Sequence, residues 1–154
     1  MRFTLRLPGI AADSAPVPPN PTDVMFALIN EARAVEGLAP YRRLPVLDTA
    51  AQIRTNDMVA RNYFGHDTPD GRKGYTDALA YLGVSYAWAG ENLAMNNYRA
   101  ETSAVRAHGA LLASPTHRAN ILEPVDFDSV GIGFTLASDG RRYYAQIFGG
   151  RITA

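Results

Sequence analysis

The stretch from Val130 to Gly149 constrains the fold of this chain more than any other. Two runs rich in β-branched and aromatic residues, VGIGFTL and RRYYAQIFG, are separated by the turn signal ASDG, and this pattern predicts an antiparallel hairpin. Upstream, the apolar periodicity is helical. Met25, Leu28, Ile29, Ala32 and Val35 recur at helical spacing between Thr22 and Gly37, which predicts a first helix capped at Thr22. A second helix is expected from about Asp48 to Asn62, with Leu47, Ala51 and Met58 on one side and Arg54 and Arg61 elsewhere.

The connection LAPYRRLPVLD leaves room for a short strand, and the glycines and proline of YFGHDTPDGRKG force a loop after helix two. A short third helix is expected over YTDALAYLG and a fourth from about Glu101 through ETSAVRAHGALLA. Ser114 and Pro115 then restart the chain, serine as an N-cap and proline in the first helical position, which places His117 in the first turn of a short helix. Four or five helices around a small antiparallel sheet make an α+β fold, because strict alternation of strands and helices is absent.

Length and charge narrow the possibilities. At 154 residues and 47% apolar content, the chain is one domain able to bury a core. Fifteen basic residues balance fifteen acidic ones, so no general field draws nucleic acid or an anionic membrane. Without cysteine, disulfides and thiolate metal sites are excluded. No apolar run approaches the length of a membrane span. The opening MRFTLRLPGI alternates like a short edge strand or extended arm and lacks the apolar core of a signal peptide. DSAPVPPNP reads as an extended, proline-rich lead-in, so residues 1–21 are expected to be an arm and linker and residues 22–154 the domain.

The candidates for chemistry are His66 in FGHDTPDG, Glu91 in AGENLA and His117 in SPTHRANIL, each expected at a helix start or end, where side chains can converge on a cleft. Spacings of 25 and 26 residues do not by themselves show that the three meet. Two readings stay open for them. Glu91 and Asn92 are equally suited to bonding backbone amides in a turn after Gly90, and His66 to bonding a loop carbonyl. Ser114 beside His117, with Glu91 orienting the base, is a serine-hydrolase arrangement on paper. Its N-cap position and the lack of a GxSxG elbow argue against it. His108, flanked by Val105, Leu111 and Leu112, reads as a packed side chain. Tyr63, Phe64, Tyr75, Tyr81, Tyr86, Trp88 and Tyr98 crowd one stretch. They suit either the packing of helix three against the sheet, the favoured reading, or the wall of a ligand groove.

Five motifs occur in a fixed order: FGHDTP as FxHxxP, Gly90-Glu91-Asn92, SPTHRANIL as SPxHRxNIL, VGIG from Val130, and the closing YYAQIFG. Together they resemble the CAP superfamily of cysteine-rich secretory, antigen 5 and pathogenesis-related 1 proteins, in its bacterial, cysteine-free branch. The resemblance runs from about Thr22 to Gly149. It implies an αβα sandwich with a small antiparallel sheet between helical layers, and an open cleft in which His66, Glu91 and His117 gather. A second glutamate, three residues after a helical tryptophan in many relatives, is replaced here. His108 stands in the tryptophan's place and Leu111 in the acid's.

Two neutral imidazoles and one carboxylate are a sound set for zinc or another divalent cation, so His66, His117 and Glu91 are the expected metal ligands, with Ser114 and Asn92 beside them in the cleft. The resemblance implies an exported, extracellular or cell-envelope binding module, expected as a monomer, taking a divalent cation, polar ligand, lipid or peptide. Nothing in the sequence requires catalysis. A metal-dependent hydrolase using the same cleft and a purely structural or interaction domain are the alternatives.

Overall fold

The computed structural model describes residues 17–154. The strand or arm expected over MRFTLRLPGI, and residues 13–16 of the proline-rich segment, lie outside the described residues. Residues 17–20 are exposed and carry no regular structure.

Among the described residues, five helices and four strands follow in the order α1 (Pro21–Val35), β1 (Arg42–Arg43), α2 (Pro45–Ala60), α3 (Gly74–Tyr81), β2 (Trp88–Asn96), α4 (Ala100–Ala113), α5 (Pro115–Ile121), β3 (Ser129–Leu136) and β4 (Arg142–Gly150). The cap of α1 differs from expectation. Asn20, not Thr22, occupies the N-cap, its side chain accepting from the Thr22 N–H at 2.9 Å. Pro21 then fills the first helical position, where no N–H is needed. The same device starts α2 at Pro45, three residues ahead of Asp48.

The sheet order is β1-β3-β4-β2. β3 and β4 form the predicted hairpin, in register from Ser129 opposite Gly149 to Leu136 opposite Arg142, and Gly140 takes φ +90° in the turn. β1 joins β3 in parallel, so the sheet is mixed rather than wholly antiparallel. β2 pairs antiparallel with β4 along its full length. Its sequence, WAGENLAMN, has few strand-forming side chains, and it is held by the tyrosine- and isoleucine-rich partner across the ladder.

Alternation along the hairpin divides the core in two. Tyr143, Ala145 and Ile147 pack with Leu47, Ala51 and Met58 of α2 and Ala78 and Leu79 of α3. On the other face, Val130, Ile132, Tyr144 and Phe148 pack with residues of α1, α4 and α5. Consecutive strand residues point to opposite faces, so the sheet is the middle layer of an αβα sandwich.

The VGIG motif has a packing reason. A Cβ on Gly131 or Gly133 would collide with the α2 backbone at Leu47 and Asp48 or at Ala51, so these two glycines let α2 lie directly on β3. Among the described residues no helix is long and apolar enough to cross a membrane.

Candidate functional site

The site is organised by two neighbours on β2. Glu91 and Asn92 lie in mid-strand, paired with Ile147 and Gln146 of β4, which corrects their expected place at a turn and helix start. Glu91 faces the α2 layer and Asn92 the α5 layer, and each fixes one histidine.

On the α2 face, the Glu91 side chain is fully buried and meets Arg54, whose side chain is 1% exposed. Arg54 Nε donates to Oε2 at 2.7 Å and Nη2 to Oε1 at 3.3 Å. The rest of the guanidinium is also bound, Nη1 to the Tyr63 hydroxyl at 2.7 Å and Nη2 to the Gly65 carbonyl at 2.7 Å. Burial alone would pull the Arg54 pKa down, but hydrogen bonding and charge from Glu91, then Tyr63, outweigh it and the net shift is upward. The Tyr63 hydroxyl in turn donates to Asp57 at 2.5 Å, and burial followed by that bond raises its pKa.

His66 sits in the loop after α2 with its side chain about half exposed, its Nδ1 2.9 Å from Glu91 Oε1. A carboxylate oxygen only accepts, so Nδ1 carries the proton and Nε2 is the basic nitrogen.

On the α5 face, Asn92 donates from Nδ2 to the His117 carbonyl and to Gln146 Oε1, both at 3.0 Å, and accepts from Asn120 at 2.9 Å. This buried amide network pins the first turn of α5. His117 Nδ1 lies 2.9 Å from Ser114 Oγ. Ser114 occupies the N-cap position, but its hydroxyl makes no capping bond and is spent on the imidazole instead, a correction to the expected cap. Burial lowers the His117 pKa, and charge repulsion from His66 adds to it in the same direction. Neither Nε2 has a hydrogen-bond partner among the described residues.

The five residues expected at the cleft therefore fall on two hydrogen-bond networks, one on each side of β2, that meet at Glu91 and Asn92, but the expected three-ligand metal set is not assembled. Both Glu91 oxygens are committed to Arg54, one of them also to His66, and among the described residues no group of three His, Cys, Asp or Glu is placed to hold a metal ion. The donor set fits two imidazole nitrogens only. The serine-hydrolase geometry is absent as well, because Glu91 orients His66 and not the histidine beside Ser114.

Leu111, in the place of the second acid, is buried in the core with α1 and α5. His108 is buried as expected, and its Nδ1 has no partner among the described residues. The aromatic residues divide between packing and exposure, and Phe64 does both, with one edge against Tyr143 of β4 at 6.2 Å between ring centroids. Tyr63 and Tyr75 pack against the α2-side core, whereas Phe64, Tyr81, Tyr86, Trp88 and Tyr98 are exposed.

The main contributor that sequence reasoning misplaced is Arg54. The sequence pattern sets it apart from the buried side of helix two, yet it shares one stripe with Leu47, Ala51 and Met58 at spacings of four, three and four. A cation on an apolar stripe demands a buried acid, and that was the signal available.

The sequence model of CAP, the cysteine-rich secretory protein family, matches residues 26–148. This chain belongs to the CAP family. The match spans all three candidate residues, β3, and β4 as far as Phe148. Among related CAP proteins, YkwD of Bacillus subtilis (strain 168) is 34% identical over 107 residues, covering 70% of this chain and 39% of that protein. An extracellular protein of Bacillus anthracis containing an SCP domain superposes with a TM-score of 0.72 at 28% identity, over 90% of this chain and 45% of that one. An outer surface protein of Borrelia burgdorferi gives the same TM-score at 19% identity, covering 85% and 92% of the two chains. This CAP chain thus spans less than half the length of the two bacillar proteins.

Proposed function

We propose that this CAP domain is an exported binding module. Its cleft receives a polar ligand group, or a divalent cation whose remaining positions are filled by water or ligand, on the Nε2 atoms of His66 and His117. The observation that carries this reading is the matched treatment of the two rings. Glu91 holds Nδ1 of one and Ser114 Nδ1 of the other, each at 2.9 Å, which orients both imidazoles and leaves both Nε2 atoms without a partner among the described residues. Oriented imidazoles of this kind are suited to metals and to hydrogen-bonding groups alike.

Exposed Phe64 and Trp88, close along the chain to His66 and Glu91, offer apolar surface for the body of a ligand such as a lipid or peptide. Export is supported by the extracellular Bacillus anthracis relative. No observation favours catalysis by this cleft, because its one buried carboxylate is already neutralised by Arg54.

Calorimetric titration with zinc chloride at pH 7.5 tests the reading. Weak one-to-one binding is expected, reduced by at least about tenfold in His66→Ala and in His117→Ala while thermal stability stays near that of the parent. Equal affinity in parent and both variants would refute it.

A further inference from the structure

We infer that Arg54 determines what the cleft accepts, by withholding Glu91 from any ligand. This rests on the cleft reading above and adds to it a residue from outside the cleft wall.

Several observations carry it. The Arg54 and Glu91 side chains are 1% and 0% exposed, and the pair is bidentate, at 2.7 and 3.3 Å. Arg54 is held from behind by the Tyr63 hydroxyl and the Gly65 carbonyl. Its guanidinium also fills the space where residue 74 would carry a Cβ, so only a glycine fits at the start of α3. The arginine therefore cannot follow Glu91 if the carboxylate turns toward a ligand, and such a turn would leave a buried guanidinium without its counter-charge. The pair is also neutral as a unit, so Glu91 offers an approaching cation little net charge and acts on it only through the His66 ring it orients. What remains facing outward is two imidazoles.

The cleft thus selects groups that imidazole nitrogens can bind and disfavours cations that need a carboxylate ligand. Without Arg54, the same backbone would present Glu91 as a third ligand beside the two rings.

The test uses zinc chloride as the probe at pH 7.5, with the unmodified chain carrying 15N-histidine, 15N-arginine and 13C-carboxyl glutamate. On addition of zinc, the imidazole nitrogens of His66 and His117 are expected to shift while the Glu91 carboxyl and the Arg54 Nε–H stay in place. Movement of the Glu91 carboxyl together with loss of the Arg54 Nε–H signal would overturn the inference. Arg54→Met is expected to bind zinc at least about tenfold more tightly than the parent, and the added Glu91→Gln change to abolish that gain. Where Arg54→Met does not fold, Arg54→Lys serves instead, since an ammonium cannot span both oxygens, and a gain of about threefold is expected. Unchanged affinity in the folded variant contradicts the inference. Imidazoles that ignore zinc in the parent, with tight binding in Arg54→Met, would sink the cleft reading and leave this one standing. Shifts at both imidazoles and at Glu91 would do the reverse.

Discussion

Glu91 and Asn92 are consecutive on β2 and leave the sheet on opposite faces, one holding the His66 ring and the other the His117 main chain. One histidine in the loop after α2 and one in the first turn of α5 are in this way both tied to the same strand. The site depends on a period-two strand at this position, because a helix or turn would have sent the two anchors in other directions.

The Arg54–Glu91 pair predicts a specific pattern of stabilities. Removing one partner leaves the other charge buried and alone, so Glu91→Leu is expected to cost about 3–5 kcal/mol. The double change Arg54→Met with Glu91→Leu should recover most of that loss. Urea unfolding of the two single variants and the double variant checks it, and additive losses would speak against a tightly coupled pair.

The contrast between the hairpin and the site shows what was legible in the sequence. The β3–β4 hairpin announced itself through Val130, Ile132, Tyr143, Tyr144 and Ile147, residues that favour strands and alternate faces. β2 did not, because Gly90, Glu91, Asn92 and Ala94 are poor strand formers locally. Only pairing with β4 extends them, and pairing is a tertiary fact. Arg54 was visible on the buried stripe of α2, but no single sequence tells which acid it meets 37 residues later. The Ser114 hydroxyl had two local partners to choose from, a backbone N–H and the His117 ring, and the helix-first reading favoured the wrong one.

Glycines separate packing from propensity. Gly131→Ala and Gly133→Ala push a methyl into the α2 backbone and are expected to destabilise the protein by about 1–3 kcal/mol or more. Gly109 is exposed within α4 with nothing near its missing Cβ, so Gly109→Ala should stabilise by about 1 kcal/mol. Urea midpoints decide it. Equal effects at all three positions would contradict the close approach of α2 to β3.

Stability should fall in mild acid because of His108. Burial lowers its pKa in the folded state, partly offset by Glu31 on α1, so the folded protein resists taking up this proton more than the unfolded chain does. The contribution is complete above the unfolded value near 6.5 and is lost as pH falls through the lower folded value. His117 adds a shift of the same sign. The urea midpoint is therefore expected to hold from pH 8 to 7 and to drop toward pH 5, with a shallower drop in His108→Leu. An identical slope in parent and variant would rule His108 out as a source.

Ligand binding through the two rings should depend on pH in the same direction. Each imidazole must be neutral to offer its Nε2 lone pair. The lowered His117 pKa, caused by burial and then by His66, keeps that ring competent somewhat below the ordinary range. Zinc titrated by calorimetry should bind more weakly at pH 5.5 than at 7.5, and equal affinity at the two values would be inconsistent with imidazole ligation.

The most direct test of the cleft itself is a crystal of this chain soaked in zinc, with anomalous scattering collected at the absorption edge. One peak between the Nε2 atoms of His66 and His117, with Glu91 still seated on Arg54, is the predicted result. Zinc bound elsewhere with both rings bare, or bound to one ring alone, would contradict a cleft built on the pair.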